Sequence, residues 1–148
     1  MRTITLFTLS IALLLQAGCG NRDGNVFVTG EVRHNGELLP GAVVVFSPVD
    51  DSGESASGTT DEAGTFVLST TTGNFGSGAK PGEYRVAISK RDVIWDGRSY
   101  IEIAGSEPVR AERAVEVLPR EFGNPLQTPL RATVTNRASD NVFHFEIP

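Results

Sequence analysis

Few side chains in this sequence could carry covalent or metal chemistry, and Cys19 is its only thiol. Its two histidines, His34 and His144, lie near opposite ends of the chain. A serine or cysteine nucleophile needs a histidine oriented beside it, and neither histidine belongs to a motif that would provide one. A zinc site needs three or four ligands at set spacing, which two distant histidines do not supply. The sequence therefore predicts no catalytic residue, no metal site and no cofactor.

Three further patterns suggest functional motifs but are incomplete. Residues 53–57 lack the last glycine of a nucleophile elbow. Residues 76–81 lack both the Gly-Lys-Ser/Thr sequence and the following helix of a phosphate loop. The acidic pairs 50–51 and 61–62 lack the ligand spacing of a calcium loop. Instead, we expect Asp61 to accept hydrogen bonds from backbone N–H groups of its own turn.

The segment before Cys19 has the composition of an export signal. Arg2 supplies one early positive charge, residues 4–15 are mostly apolar, and the small residues Ala17 and Gly18 precede the cysteine. These features are typical of a secretory signal peptide. The apolar run is too short to span a bilayer as a helix, which takes about 20 residues.

With Cys19 at its end, this segment resembles a bacterial lipoprotein signal, in which small residues precede an invariant cysteine. Gln16 departs from the pattern, because the family usually has leucine there. The resemblance implies that residues 1–18 are removed, that Cys19 is lipidated on its sulfur, and that residues 19–25 form a lipidated tether. The protein would then be exported and lipid-anchored to a bacterial membrane, on the periplasmic face or the cell surface. The alternative is an ordinary signal peptide followed by a chance cysteine.

Composition limits the partners of the remaining chain. Removing residues 1–18 leaves 130 residues, enough for one domain with a hydrophobic core. The net charge falls from −5 to −6 with the loss of Arg2, leaving 12 basic side chains against 18 acidic ones. Such an acidic domain is not expected to bind nucleic acid or to be attracted to anionic lipid. With a single cysteine, the fold must hold without disulfides.

Sixteen glycines, eight prolines and several alternating apolar runs predict seven or eight short strands, as in a β-sandwich. Asn35-Gly36 predicts a hairpin turn. The run 42–48 is nearly continuously apolar and predicts a strand buried on both faces. Strands at 130–135 and 142–147 are expected to pair with each other. The expected inward side chains are Phe46, Phe66, Leu68, Tyr84, Val86, Ile88, Val134, Phe143 and Phe145.

Three stretches together resemble carboxypeptidase regulatory-like domains: residues 28–46, residues 60–66 and residues 80–86. Residues 118–125 and 130–134 are similar to small secreted lipoproteins of planctomycete-type bacteria that carry this domain. The resemblance implies that residues 26–148 form an all-β, prealbumin-like (transthyretin-like) Greek-key sandwich of about seven strands. It brings no catalytic residues.

Residues 91–112 lie outside the resemblance and contain Trp95 and Tyr100. Phe75 and Phe122 also lie in predicted loops or next to them. Exposed aromatic side chains stack on sugar rings or anchor protein partners, so Trp95 and Tyr100 are the candidate ligand contacts. The alternative is that these aromatics close the open ends of the sandwich.

The sequence as a whole indicates a non-enzymatic, membrane-anchored envelope lipoprotein. Its sandwich would act as a binding or structural module, most simply for another envelope protein, through a sheet edge or the 91–112 segment. A carbohydrate-binding module that uses the loop aromatics is the first alternative. A hydrolase dependent on His34 or His144 is a more remote one.

Overall fold

The computed structural model of the protein describes residues 24–50, 53–101 and 109–148. Within these residues the regular structure is eleven β-strands and a single 3-10 turn at Ala138–Asp140. The predicted all-β class is therefore confirmed. The strands are β1 (Thr29–His34), β2 (Glu37–Leu38), β3 (Val43–Pro48), β4 (Ala56–Thr59), β5 (Thr65–Val67), β6 (Ser69–Thr70), β7 (Gly82–Ser89), β8 (Arg91–Ile101), β9 (Val109–Glu116), β10 (Arg131–Val134) and β11 (Val142–Ile147).

Two sheets pack face to face. In the first sheet β1 is central, with β11 on one side and β2 and β5 on the other. The β1–β11 pair is parallel, from Thr29 opposite Val142 to His34 opposite Ile147, whereas β2 and β5 are antiparallel to β1. The second sheet has the order β10-β7-β3-β4-β6 and is antiparallel throughout.

One stretch of chain, residues 65–70, belongs to both sheets. Its first half, β5, pairs with β1, and its second half, β6, pairs with β4. Between them the buried Leu68 donates its N–H to Val28 O (3.0 Å) and accepts from Gly78 N–H (2.9 Å). This stretch therefore hydrogen-bonds the two sheets together along one side of the sandwich.

The core is centred on Phe46. Its ring lies 5.5–6.3 Å, centroid to centroid, from four other aromatic rings, Phe66, Tyr84, Phe143 and Phe145. All nine side chains predicted to point inward join this core, eight of them buried and Phe143 partly buried against it. Because three of Phe46's partners come from the opposite sheet, the aromatic cluster joins the two layers.

Two predicted turns are confirmed in detail. Asn35 and Gly36 have φ of 52° and 82°, as a two-residue β-hairpin turn of type I′ requires. Asp61 Oδ1 accepts from the N–H groups of Ala63 and Thr65, both at 2.9 Å. The carboxylate thus provides acceptors for two backbone N–H groups of the turn.

Two strand predictions are wrong. The strands β10 and β11 do not pair with each other, because the chain crosses from one sheet to the other between them and each joins a different neighbour. The strand β3 is buried on one face only. Val44 and Phe46 are buried but Val43 is exposed, because nothing in the described residues covers the outer face of that sheet at Val43.

The prediction for residues 91–112 also needs correction. Trp95 and Tyr100, expected in loops or next to them, both lie on the long strand β8, which pairs with β9. Sheet pairing also begins after residue 26, the predicted start of the domain. The first strand starts at Thr29, and Val26 makes only a single bridge to Ala79.

The strand directions define two ends of the sandwich. The strands β1, β4 and β7 run one way, whereas β3 and residues 65–70 run the other. At one end, the entry end, the chain enters through residues 24–28, beside the loop 71–81. At the other, the far end, β7 finishes at Ser89. At about 3.3 Å per residue, the eight residues of β7 separate the two ends by roughly 25 Å.

Candidate functional site

A hairpin made of β8 and β9, called the arm below, leaves the sandwich at its far end. Ser89, the last residue of β7, still pairs with Val43 of β3. Only Lys90 separates β7 from β8, so the chain continues in nearly the same strand. Within the described residues β8 pairs with β9 and with neither main sheet. The arm is therefore an extension of a central strand of the second sheet.

Polar contacts fix the base of the arm. The N–H of Val117 donates to Lys90 O (2.9 Å), and Arg91 Nε donates to Glu116 Oε1 in a close ion pair. The hydrogen bond to Glu116, with its negative charge, raises the pKa of the Arg91 guanidinium. Because this pair is exposed, it adds little to stability. It sets the register of the arm, in which Arg91 lies opposite Glu116.

Two adjacent apolar side chains of the arm are exposed. Val93 is 63% and Ile94 48% accessible to solvent. Since successive strand residues point to opposite faces, both faces of the arm present apolar surface near its base. A two-stranded hairpin alone in water is only marginally stable. A partner that covered either face would therefore bury apolar surface and, by doing so, stabilise the arm.

Trp95 and Tyr100 lie on either side of an irregularity in the arm. Trp95 is opposite Glu112 and Tyr100 is opposite Arg110. Residues 96–99 of β8 therefore face a single residue of β9, which makes a large bulge. Bulges bend a strand and redirect its side chains, and they are common next to binding sites. The two candidate ligand contacts thus share one strand of the arm.

The other two aromatics considered in the sequence lie elsewhere. Phe122 is buried below the arm, where its carbonyl accepts the N–H of Ile88 (2.7 Å). Phe75 is at the entry end and is 89% exposed. The expectation that such aromatics close the ends of the sandwich is therefore confirmed for Phe122 and wrong for Phe75.

A cleft of about 360 Å³ lies between the base of the arm and the loop after β9. Its walls combine the charged side chains Arg91, Glu116 and Arg120 with the apolar Ile88 and Leu118. Such mixed walls suit the polar rim of a protein contact better than an enclosed small-molecule site.

The histidines do not form a catalytic pair. His34 Nδ1 lies 3.3 Å from Ile147 O, and the Asn35 amide lies 3.2 Å from its Nε2. His144 is exposed on β11 and lies opposite Glu31. This register places the two histidines three positions apart on neighbouring strands, roughly 10 Å.

The remaining sequence predictions concern metal binding, membrane spanning and lipidation. Among the described residues no three His, Cys, Asp or Glu side chains lie close enough to hold a metal ion. The described part of the chain also has no helix with the length and apolar content needed to cross a bilayer. Cys19, the predicted lipidation site, lies outside the described residues.

Val93 and Ile94 were not singled out from the sequence. The signal that could have found them is the pair of β-rich runs 91–95 and 113–117, which face each other as the base of the arm.

No known protein family, curated protein or solved structure matches the chain.

Proposed function

We propose that this protein is a non-enzymatic, lipid-anchored envelope protein that presents the arm to another envelope protein. The observation that supports the proposal most directly is the exposure of Val93 and Ile94 on opposite faces of a hairpin that joins neither sheet. Exposed apolar surface on a projecting β-hairpin is characteristic of protein contact sites. The surrounding charged residues, Arg91, Arg113 and Glu116, would form the polar rim of such a contact.

The position of the arm fits an anchor on Cys19. The N-terminal segment enters at one end of the sandwich and the arm leaves at the other. An anchor at Cys19 would hold the entry end against the membrane, because only four residues separate Cys19 from Gly24. The rigid sandwich would then carry the arm roughly 25 Å from that surface. The prealbumin-like Greek-key fold belongs to this proposal, as a scaffold that implies no activity by itself.

The anchor is tested by Cys19→Ala. The unchanged protein is expected in the membrane fraction, with a mass increased by acyl chains and reduced by residues 1–18. The variant is expected to lose the acyl mass and leave that fraction, because the acyl chains that would hold it in the bilayer have been removed. Gln16→Leu, which restores the usual lipoprotein residue, is the matched control and should keep both properties. Unchanged mass and membrane association in Cys19→Ala would show that the anchor is wrong.

Partner binding is tested by photocrosslinking in intact cells. A photoreactive residue is placed at Val93 or Ile94, and a control is placed at Leu126, which is 83% exposed but lies outside the arm. We expect a discrete adduct from the arm positions that is absent from the control. The adduct should disappear when Trp95 and Tyr100 are both replaced by alanine if those side chains belong to the contact. Equal adducts at all positions would contradict the proposal.

Carbohydrate binding is the second candidate, because Trp95 and Tyr100 share one strand of the arm. Aromatic side chains stack on sugar rings, and two on one strand could follow a glycan chain. Retention of the protein on isolated envelope glycan, lost in Trp95→Ala and kept in Phe75→Ala, would favour this candidate over a protein partner.

A further inference from the structure

The loop between β6 and β7 holds an exposed phenylalanine in a fixed backbone. Within it, Gly76 N–H donates to Ser69 Oγ (2.9 Å), Ser77 N–H to Asn74 O (2.9 Å) and Gly78 N–H to Leu68 O (2.9 Å). These bonds bracket Phe75 on both sides. Phe75 is nevertheless 89% exposed. An ordered loop with an apolar side chain at its tip is typical of a contact surface. Because its backbone is already fixed, binding does not carry the entropic cost of ordering the loop.

Phe75 belongs to an apolar patch next to the entering chain. A Cβ placed on Gly76 would lie 3.7 Å from Val67 Cγ1 and 3.9 Å from Phe27 Cε2, so both side chains lie beside the glycine that follows Phe75. Val67 and Phe75 also line one groove. Phe27 is 46% exposed. Phe27, Val67 and Phe75 are called the entry patch below. Phe27 lies only eight residues after Cys19.

Two further exposed apolar side chains lie at the same end. Val49 follows β3 and is exposed, and its N–H donates to Glu83 O (2.9 Å). Val142 begins β11, opposite Thr29. Exposed apolar side chains therefore occur on both sheets at the end where the chain enters. Grouping of this kind indicates a contact surface, whereas single exposed apolar residues are ordinary.

The charges at the entry end favour an uncharged contact. Asp50, Glu83 and Asp140 are exposed there, against Lys80 and Arg137, and Glu54 is half-buried. This excess of acid would be repelled by anionic lipid and by acidic proteins. Apolar burial, which does not depend on charge, would have to supply the attraction.

We infer that the entry patch rests on a lipid surface, with Phe75 and Phe27 inserted among the head groups. The inference rests on the proposed anchor, which would bring that surface within reach. The eight residues from Cys19 to Phe27 span at most about 28 Å. Because the anchor already confines the protein to the membrane, a weak contact by two aromatic rings is enough to orient it. The contact would point the arm away from the bilayer.

Tryptophan fluorescence tests the orientation, because Trp95 is the only tryptophan of the chain. The lipidated protein is reconstituted into phosphatidylcholine vesicles with or without brominated acyl chains, which quench nearby tryptophan. In one variant Phe75→Trp and Trp95→Phe move the tryptophan to the patch. In the control variant Leu126→Trp and Trp95→Phe move it to a different exposed loop. Circular dichroism confirms that each variant is folded.

We expect brominated lipid to reduce the fluorescence of the patch variant about twofold, since interfacial aromatic rings reach the acyl boundary. The fluorescence of Trp95 in the unchanged protein and of the Leu126 control should stay constant. Adding anionic lipid should leave the quenching equal or weaker. No quenching at position 75, or quenching that requires anionic lipid, would overturn the inference. The inference would also be overturned if, without lipid, the tryptophan at position 75 became less accessible to solvent as the protein concentration rose. A second copy of the protein would then cover the patch.

Failure of the anchor can be separated from failure of the patch. If mass spectrometry finds no acyl chains on Cys19, the proposed anchor is wrong. The same three proteins are then coupled through that thiol to vesicles carrying a maleimide lipid. Quenching at position 75 under this artificial anchor would support the patch as a lipid contact, and its absence would overturn it.

Discussion

The side-chain amide of Asn141 pairs with the backbone of Thr135 as a neighbouring strand would. Asn141 Oδ1 accepts the N–H of Thr135 at 2.8 Å, and its Nδ2 donates to the carbonyl of Thr135 at 3.0 Å. Asn141 is fully buried, and its own carbonyl accepts the N–H of Thr29 (3.1 Å). The Asn141 side chain thus bonds the backbone N–H and carbonyl of Thr135, just after β10. The Asn141 backbone bonds to the first residue of β1. This arrangement holds the crossing between the two sheets.

Replacing Asn141 by alanine is therefore expected to destabilise the whole fold. The change leaves the Thr135 N–H and carbonyl without these partners, which costs about 1–3 kcal/mol in the free energy of unfolding. Chemical denaturation followed by circular dichroism measures the loss. Asn136→Ala, at an exposed position of the same crossing, is the control and should change stability by less than about 0.5 kcal/mol. Equal stability of the two variants would contradict this role of Asn141.

Gly30→Ala is expected to disturb the core from the backbone of β1. The added Cβ would lie 2.3 Å from Phe143 O and 2.7 Å from two carbons of the Phe66 ring. These atoms belong to the two strands that flank β1, so at least one strand must shift, at a cost of about 1–3 kcal/mol. Thermal unfolding provides the measurement. The control Gly123→Ala meets nothing closer than 3.4 Å and should be nearly neutral. A wild-type melting temperature for Gly30→Ala would refute the tight packing.

Tyr84 is expected to make the fold sensitive to alkali. Burial, and then the negative charge of Asp50, raise the pKa of the Tyr84 phenol above its usual 10.0. The unfolded chain releases this proton near pH 10 while the folded chain keeps it. The contribution of Tyr84 is therefore complete below pH 10 and is lost as the pH rises from there through the folded pKa.

The variant Tyr84→Phe isolates this effect. Below pH 10 it should lose about 0.5–1.5 kcal/mol, because the phenol donates to Lys80 O at 2.8 Å. Above pH 10 the difference from the unchanged protein should shrink, since phenylalanine has no proton to release. Denaturation at a series of pH values measures both. A difference that is constant with pH would show that Tyr84 does not titrate in this way.

Substitutions in the arm should separate binding from folding. Val93→Thr with Ile94→Thr removes exposed apolar surface that packs on nothing in the core, so the free energy of unfolding should change by less than about 0.5 kcal/mol. Adducts formed from a photoreactive residue at the nearby Ala114 should disappear. The contrasting variant Val44→Thr places a hydroxyl in the core and should cost about 1–3 kcal/mol. Loss of stability in the arm variant would show that the arm belongs to the folded core.

The sequence predicted those parts of the fold that depend on neighbouring residues. Alternation placed Phe66 and Leu68 inward because strand periodicity is a property of the local backbone. Asn35 and Gly36 specified their turn because both tolerate positive φ. Neither inference depends on which strands become neighbours in the fold.

What the sequence could not supply was strand partnership. The strands β10 and β11 alternate as a hairpin would, yet β11 lies parallel to β1. This choice depends on contacts distant in sequence, such as the bond from Thr29 N–H to Asn141 O. The arm was missed for a different reason. Residues 96–99 bulge out of β8, so the alternation that identifies a strand is interrupted there. Trp95 and Tyr100 were identified as candidate contacts, whereas Val93 and Ile94 appeared only with the structure. Lipidation of Cys19 stays a prediction.

The continuity of β7 with β8 has a mechanical consequence. Tension between an anchored N-terminus and a partner on the arm would pull β1 from one end of the sandwich and β7 from the other. Each of these strands is flanked by hydrogen-bonded neighbours on both sides, and their bonds lie across the direction of pull. The load is then shared by many bonds in shear, which must yield together, and is not concentrated on one bond at a time as in unzipping. With such an anchor and such a partner, the sandwich would transmit force along its length.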